Sequence, residues 1–128
     1  MAYALLKQGL IDTPVDVTSA GLGTVSGHPA DPLAINLMAE RGLDLKSHRS
    51  TEFTPTDGMN SDLILVMTTE MCEYVQEHWP LLQGRVYRLG HWGKFDIDDP
   101  HTQGEDAFRK ALDLVDKGAS QWLERLAP

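Results

Sequence analysis

Leu63-Ile64-Leu65-Val66-Met67 is an unbroken apolar run, and its surroundings decide the fold. A strand with one face in water alternates apolar and polar residues. A run with no polar position instead suits a strand covered on both faces, as parallel strands are. Directly after it, Met71, Tyr74 and Val75 recur at helical spacing and Pro80 stops the pattern, so the spacing predicts a helix over about Thr69 to Trp79. Val86-Tyr87-Arg88-Leu89 then reads as the next strand. Strand, helix and strand in succession predict an α/β fold with right-handed crossovers.

The same alternation extends outward. Upstream, Val15 to Ser19 reads as a strand ending in the loop Gly21-Leu22-Gly23. Asp31 is a good N-cap with Pro32 at the first helical position; Ala34, Leu37 and Met38 form the face of that helix, and Gly42 stops it. A short first helix carries Ala2, Leu5 and Leu6 and closes at Gly9. The last helix starts near Glu105 and puts Phe108, Ala111, Leu112, Val115, Trp122 and Leu123 on one stripe. The expected architecture is a three-layer α/β domain over residues 1–128, an open parallel sheet with helices on both faces. Three strands make a thin sheet, and a strand as apolar as Leu63–Met67 belongs in the centre with a neighbour on each side. The chain also opens with a helix although every later helix follows a strand. A strand and a tight loop ahead of Met1 would make the pattern regular.

Composition narrows the function. The chain has 128 residues, 41% hydrophobic and 23% charged, enough for one core and no more. A formal net charge of −8 repels polyanions, which argues against a nucleic-acid partner. No apolar run approaches the roughly 18 residues of a membrane span. The first residues carry no basic segment ahead of their apolar part, and the single cysteine, Cys72, suits a reducing compartment, so a cytoplasmic location is expected.

Several stretches carry more specific information. They are Ser19-Ala20-Gly21, Gly27-His28-Pro29-Ala30-Asp31-Pro32, Met38-Ala39-Glu40-Arg41-Gly42, Ser47-His48-Arg49, Asp62 to Met67, Leu89-Gly90-His91-Trp92 and Asp99-Pro100. In this order and over essentially the whole chain, the sequence resembles the low-molecular-weight protein-tyrosine phosphatases. Leu89-Gly90-His91-Trp92 resembles in particular the bacterial members that serve exopolysaccharide and capsule export, where the phosphatase opposes a tyrosine kinase. The resemblance implies hydrolysis of phosphotyrosine monoesters through a phosphocysteine intermediate, with no cofactor or metal. A phosphotyrosine protein and a bacterial tyrosine kinase are the implied partners, and no membrane insertion is expected.

The resemblance also assigns roles. Asp99, in the Asp-Pro dipeptide, is implied as the general acid that protonates the leaving phenolate. Asp98 is the rival, but only Asp99 precedes Pro100. His101 stands where relatives usually carry a tyrosine wall of the substrate cleft, a departure that bears on substrate preference, and Leu22 is the expected opposite wall. His48 and Ser19 are implied as structural support of the phosphate loop. Thr51 stands where relatives tend to carry a second arginine.

The nucleophile of these relatives is a cysteine in a Cys-x5-Arg phosphate loop ahead of the first helix, and no such loop occurs in residues 1–128. Cys72 is no substitute. It is flanked by Glu70 and Glu73, no arginine follows at the needed spacing, and a mid-helix thiol meets no free N–H groups. The resemblance therefore implies an N-terminally truncated domain in which Met1-Ala2-Tyr3-Ala4-Leu5-Leu6 is the interior of the helix after the loop. The missing part would be roughly 15 to 20 residues, a strand plus a loop. Such a chain is expected to be inactive by itself. The competing reading is a non-catalytic, phosphatase-like protein that binds a kinase or phosphatase. Arsenate reduction on the same fold needs further redox cysteines, and only Cys72 is present.

Two weaker patterns point to no chemistry. Gly21-x-Gly23-x3-Gly27 has its third glycine one residue late for a dinucleotide fingerprint and reads as a loop. The acids and histidines His91, Asp96, Asp98, Asp99 and His101 read as a solvated surface rather than a metal site.

Overall fold

The structure is a computed structural model that describes residues 1–23 and 26–127. In chain order it comprises α1 (Ala2–Gly9), α2 (Pro32–Glu40), α3 (Pro55–Met59), β1 (Ile64–Val66), α4 (Thr69–His78), a 3-10 turn at Pro80–Leu82, β2 (Val86–Arg88) and α5 (Glu105–Leu126).

The crossover expected from the apolar run is present. β1 and β2 are parallel, with Ile64 opposite Val86, Leu65 opposite Tyr87 and Val66 opposite Arg88. Alternation along β1 divides its side chains between two helical layers. Leu63, Leu65 and Met67, with Tyr87 of β2, pack against Leu6 of α1 and the Ala111, Val115, Ala119 and Trp122 stripe of α5. Ile64, Val66 and Val86 face the other way, toward Val75 of α4 and Leu82. A third cluster joins Ala4 of α1 to Ala34, Leu37 and Met38 of α2 and to Phe108 and Leu112 of α5. The result is helix, sheet, helix, the three layers expected.

Local chemistry sets the helix ends. Asp31 Oδ1 accepts from the Leu33 N–H at 2.9 Å, and Pro32 supplies a first-turn φ while withdrawing an N–H that has no intrahelical partner. Thr68 Oγ1 accepts from the Met71 N–H at 3.1 Å to open α4, which stops at Trp79 because Pro80 cannot continue it. Glu105 and Asp106 in the first turn of α5 and Arg125 in its last complement the helix dipole.

Two expectations need correction. Val15 to Ser19 forms no ladder: Val17 is half-buried against the α1–α5 cluster, whereas Val15 is 41% exposed. Extended backbone becomes a strand only with a neighbour to accept its N–H groups. Among the described residues β1 has β2 on one side and no strand on the other. The nearest pairing is a single parallel bridge, Gly21 with Glu52. The second correction is α3, which the periodicity did not suggest. It rests on a capping box, in which Thr54 Oγ1 accepts from the Asp57 N–H and Asp57 Oδ2 accepts from the Thr54 N–H. Of the glycine-rich loop, Thr24 and Val25 lie outside the described residues.

Candidate active site

The candidate acid lies at the end of the molecule where the parallel strands finish. β2 ends at Arg88, and the chain then passes over the carboxyl end of β1, where the Ile97 N–H donates to Met67 O at 2.9 Å. Ile97 is buried, and two residues later Asp99 is exposed. Open parallel sheets bind ligands at this end. Three helices begin here too. Asp96 accepts from Thr69 at the start of α4, and His101 Nδ1 lies 3.3 Å from Oδ2 of Asp31, the cap of α2. The start of α1 is placed by packing: Ala4 clusters with Phe108 and Leu112 of early α5, whereas Gly9 abuts Leu123 near its end. Helix N-termini favour anions, and their convergence gives a chain of net charge −8 one end suited to a phosphate ester.

The Asp99 carboxylate is oriented by its own turn. Oδ1 accepts from the His101 N–H at 3.0 Å and the Asp99 carbonyl accepts from Gln103 Nε2 at 3.2 Å. With Oδ1 occupied by a donor, Oδ2 is the oxygen able to carry a proton toward a ligand. The turn closes with the Gln103 N–H on Pro100 O at 3.0 Å, which places Thr102 at φ +64°. A β-branched residue in the left-handed region is strained, by about 1–2 kcal/mol, and such strain gathers at functional loops.

The second group lies beside α1. Ser19 Oγ and His48 Nε2 are 3.5 Å apart, and the His48 ring stands 5.2 Å from that of Tyr3. Thr51 Oγ1 donates to Ser19 O at 2.8 Å and so fastens the backbone here. Burial holds the His48 imidazole below its ordinary value, and the charge of Arg49 acts in the same direction. His48 is thus kept neutral, able to accept or donate through Nε2.

The other candidates are dispersed. Leu22 is half-buried and packs on the Val66, Val75, Leu82 and Val86 cluster with Phe53. Cys72 lies in α4, where its thiol contacts Val86 O at 3.7 Å and accepts from Gln76 Nε2 at 3.1 Å. Asp96 is engaged by Arg88 and Thr69, and His101 by Asp31. No group of three potential metal ligands occurs among the described residues. A cleft of about 520 Å³ between α1 and residues 42–49 includes Tyr3, Lys7, His48 and Arg49 but not Asp99, His101 or Leu22. No helix among the described residues is long and apolar enough to cross a membrane.

Sequence reading missed the bond of Asp96 to Thr69 and that of the second oxygen of Asp31 to His101. Both bonds join residues far apart in the chain, 27 and 70 positions respectively, and no local pattern announces them.

Comparison with known proteins identifies the family and the fold. The family model for low molecular weight phosphotyrosine protein phosphatase matches residues 1–128. The chain is 41% identical over 126 residues to a probable low molecular weight protein-tyrosine-phosphatase, EpsP, of Ralstonia nicotianae, covering 98% of this chain and 86% of that protein. It is 36% identical over 111 residues to Wzb of Escherichia coli K12, a low molecular weight protein-tyrosine-phosphatase, covering 86% of this chain and 76% of that one. Among solved structures, Wzb of Vibrio vulnificus in complex with benzylphosphonate superposes with a TM-score of 0.89 at 32% identity, over 97% of this chain and 87% of that one. The tyrosine phosphatase Wzb of Escherichia coli K30 with sulphate gives 0.90 at 32% identity, over 98% and 87%.

Proposed function

The chain belongs to the low molecular weight phosphotyrosine protein phosphatase family, and on that premise we propose that it supplies the acid and the scaffold of a protein-tyrosine phosphatase. The reaction has two steps. A cysteine thiolate takes the phosphoryl group while Asp99 gives its Oδ2 proton to the leaving phenolate; water then hydrolyses the phosphocysteine. The thiolate and its arginine belong to a Cys-x5-Arg loop on a strand that precedes Met1 in the protein its cells produce. The 128 residues without that loop do not turn over phosphotyrosine, because Asp99 has no bound ester to protonate.

The observation that carries this reading is the Asp99 turn, oriented by the His101 N–H and rooted at the carboxyl ends of the parallel strands beside three helix starts. Among the described residues β1 is paired on one side only, which supports the proposed preceding strand. The only cysteine, Cys72, is held in α4 by Gln76 and Val86, which supports the inactivity of the 128 residues alone. Likeness to phosphatases named EpsP and Wzb, with Leu89-Gly90-His91-Trp92, supports a cytoplasmic role opposing a tyrosine kinase in exopolysaccharide export. If no loop precedes Met1, the lone mid-helix thiol favours the non-catalytic binding protein instead.

The test is the intact mass of the protein purified from its own cells, followed by kcat/KM on phenyl phosphate. Extra N-terminal residues containing Cys-x5-Arg are expected, together with a loss of about 10²–10⁴-fold in Asp99→Asn. Turnover by the bare 128-residue chain that Cys72→Ser abolishes would overturn the reading.

A further inference from the structure

The loop from Leu89 to Asp99 is long and mostly irregular, yet it must deliver a carboxylate to within hydrogen-bond reach of a leaving oxygen. One side chain holds its far end. Asp96 Oδ1 accepts from the Thr69 N–H at 3.1 Å, from Thr69 Oγ1 at 3.0 Å and from Arg88 Nη1 at 2.9 Å. These donors come from two elements, the first residue of α4 and the last residue of β2. The Thr69 N–H is one of the helix-start donors that has no partner inside its helix, so Asp96 satisfies it from outside. From this convergence we propose that Asp96 is the positioning residue of the acid turn, fixing the loop so that Asp99 is held at the leaving-group oxygen. The proposal rests on Asp99 being the acid.

The spacing explains why the effect passes to Asp99. Asp96 and Ile97 are adjacent anchors, one through its side chain and one through its backbone, and Asp99 is two residues beyond the second. Ile97 alone fixes a point; Asp96 adds a second, which removes rotation of the loop about it. Asp98 and Asp99 then project into solvent from a root that does not swing. Arg88 comes first among the causes that hold the Asp96 carboxyl below the usual carboxylate range, so it remains an anion wherever a phosphatase of this kind works. Asn in its place keeps an acceptor at the same point, whereas Ala removes it. A misplacement on the ångström scale is enough to cost a positioned group much of its effect.

The readout is leaving-group dependence, because an acid matters in proportion to the basicity of the oxygen it protonates. In the protein purified from its own cells, Asp96→Ala should lower kcat/KM about 10-fold with phenyl phosphate but less than about 2-fold with p-nitrophenyl phosphate. Asp96→Asn should recover most of the phenyl phosphate rate, and amide exchange of Ile97 and His101 should quicken about 10-fold in Asp96→Ala only. An equal loss with both esters, or unchanged exchange at both amides, overturns the proposal. If Asp99→Asn leaves the difference between the two esters untouched, the acid assignment fails, and the exchange rates still decide whether Asp96 fixes the loop.

Discussion

Replacing Gly90 by alanine should unsettle the acid turn from below, at a cost the geometry sets. Gly90 is buried, and its carbonyl accepts the Phe95 N–H at 3.1 Å to close the loop at its base. A Cβ added here would overlap the Phe95 carbonyl oxygen and come within 2.7 Å of Cδ2 and 2.9 Å of Cε2 of its ring. Neither side can give way freely. The next residues, Asp96 and Ile97, are pinned to Arg88, Thr69 and Met67, and on the other side Leu89 is 0% exposed in the core. Overpacking typically costs about 1–3 kcal/mol and the loss of the Phe95 bond about 1 kcal/mol more, so about 2–4 kcal/mol is expected. That is a large part of the roughly 5–15 kcal/mol that stabilises a domain. Urea denaturation followed by the fluorescence of Trp79, Trp92 and Trp122 measures it, with Gly84→Ala as the control. Gly84 has φ +90° and open space around it, so alanine there meets only left-handed backbone strain of about 1–2 kcal/mol. A Gly90→Ala cost no greater than that of Gly84→Ala would refute the reasoning, since the collision would then have been relieved without strain.

Two further outcomes follow from single side chains. His48 has a folded pKa below its ordinary value of 6.5, chiefly through burial, so the unfolded chain takes up its proton at a higher pH than the folded one. Stability should therefore be complete above about pH 6.5 and fall as the pH drops toward the folded value; melting curves at pH 7.5 and 5.5 should show this, and His48→Gln should flatten the difference. Cys72→Ser keeps a group that can accept from Gln76 and donate to Val86 O, so melting should change by less than about 1 kcal/mol and the phosphatase rate of the cell-derived protein should not change.

What could be read from the sequence was whatever neighbouring residues decide. The apolar run at 63–67 fixed the two covered faces of β1, Asp31-Pro32 opened α2, Pro80 ended α4, and the stripe from Phe108 to Trp122 described the buried side of α5. The overestimated strand at Val15–Ser19 has the right composition, but composition cannot supply a ladder partner. α3 went unread because its signal is a cap and not a period: Thr54-Pro55-Thr56-Asp57 contains a capping box but no apolar stripe. In the candidate site Asp99 was named through its Pro100 neighbour and the family resemblance. Asp96 was instead grouped with surface acids, because Thr69 becomes its neighbour only after the crossover is folded and no local pattern announces the loop that returns Asp96 to Arg88.

Charge ties these pieces together. A chain of net charge −8 cannot draw in a phosphate ester by its overall field, so attraction has to come from fixed dipoles close at hand. The starts of α1, α2 and α4 provide such dipoles, and each meets a group that leaves the site electrically restrained. Asp31 caps α2 and turns its other oxygen to His101, Asp96 takes the first N–H of α4 together with Arg88, and His48 near the start of α1 is held neutral. The carboxylates Asp31 and Asp96 are thus each committed to donors, which limits their repulsion of an incoming dianion. Asp99 is different: its Oδ1 accepts from the His101 N–H, and on the proposed reading Oδ2 is the oxygen that faces the leaving group. Two of the carboxyls at that end, Asp31 and Asp96, are thereby taken up by helix starts, Arg88 and His101, while Asp98 and Asp99 stand exposed beside them.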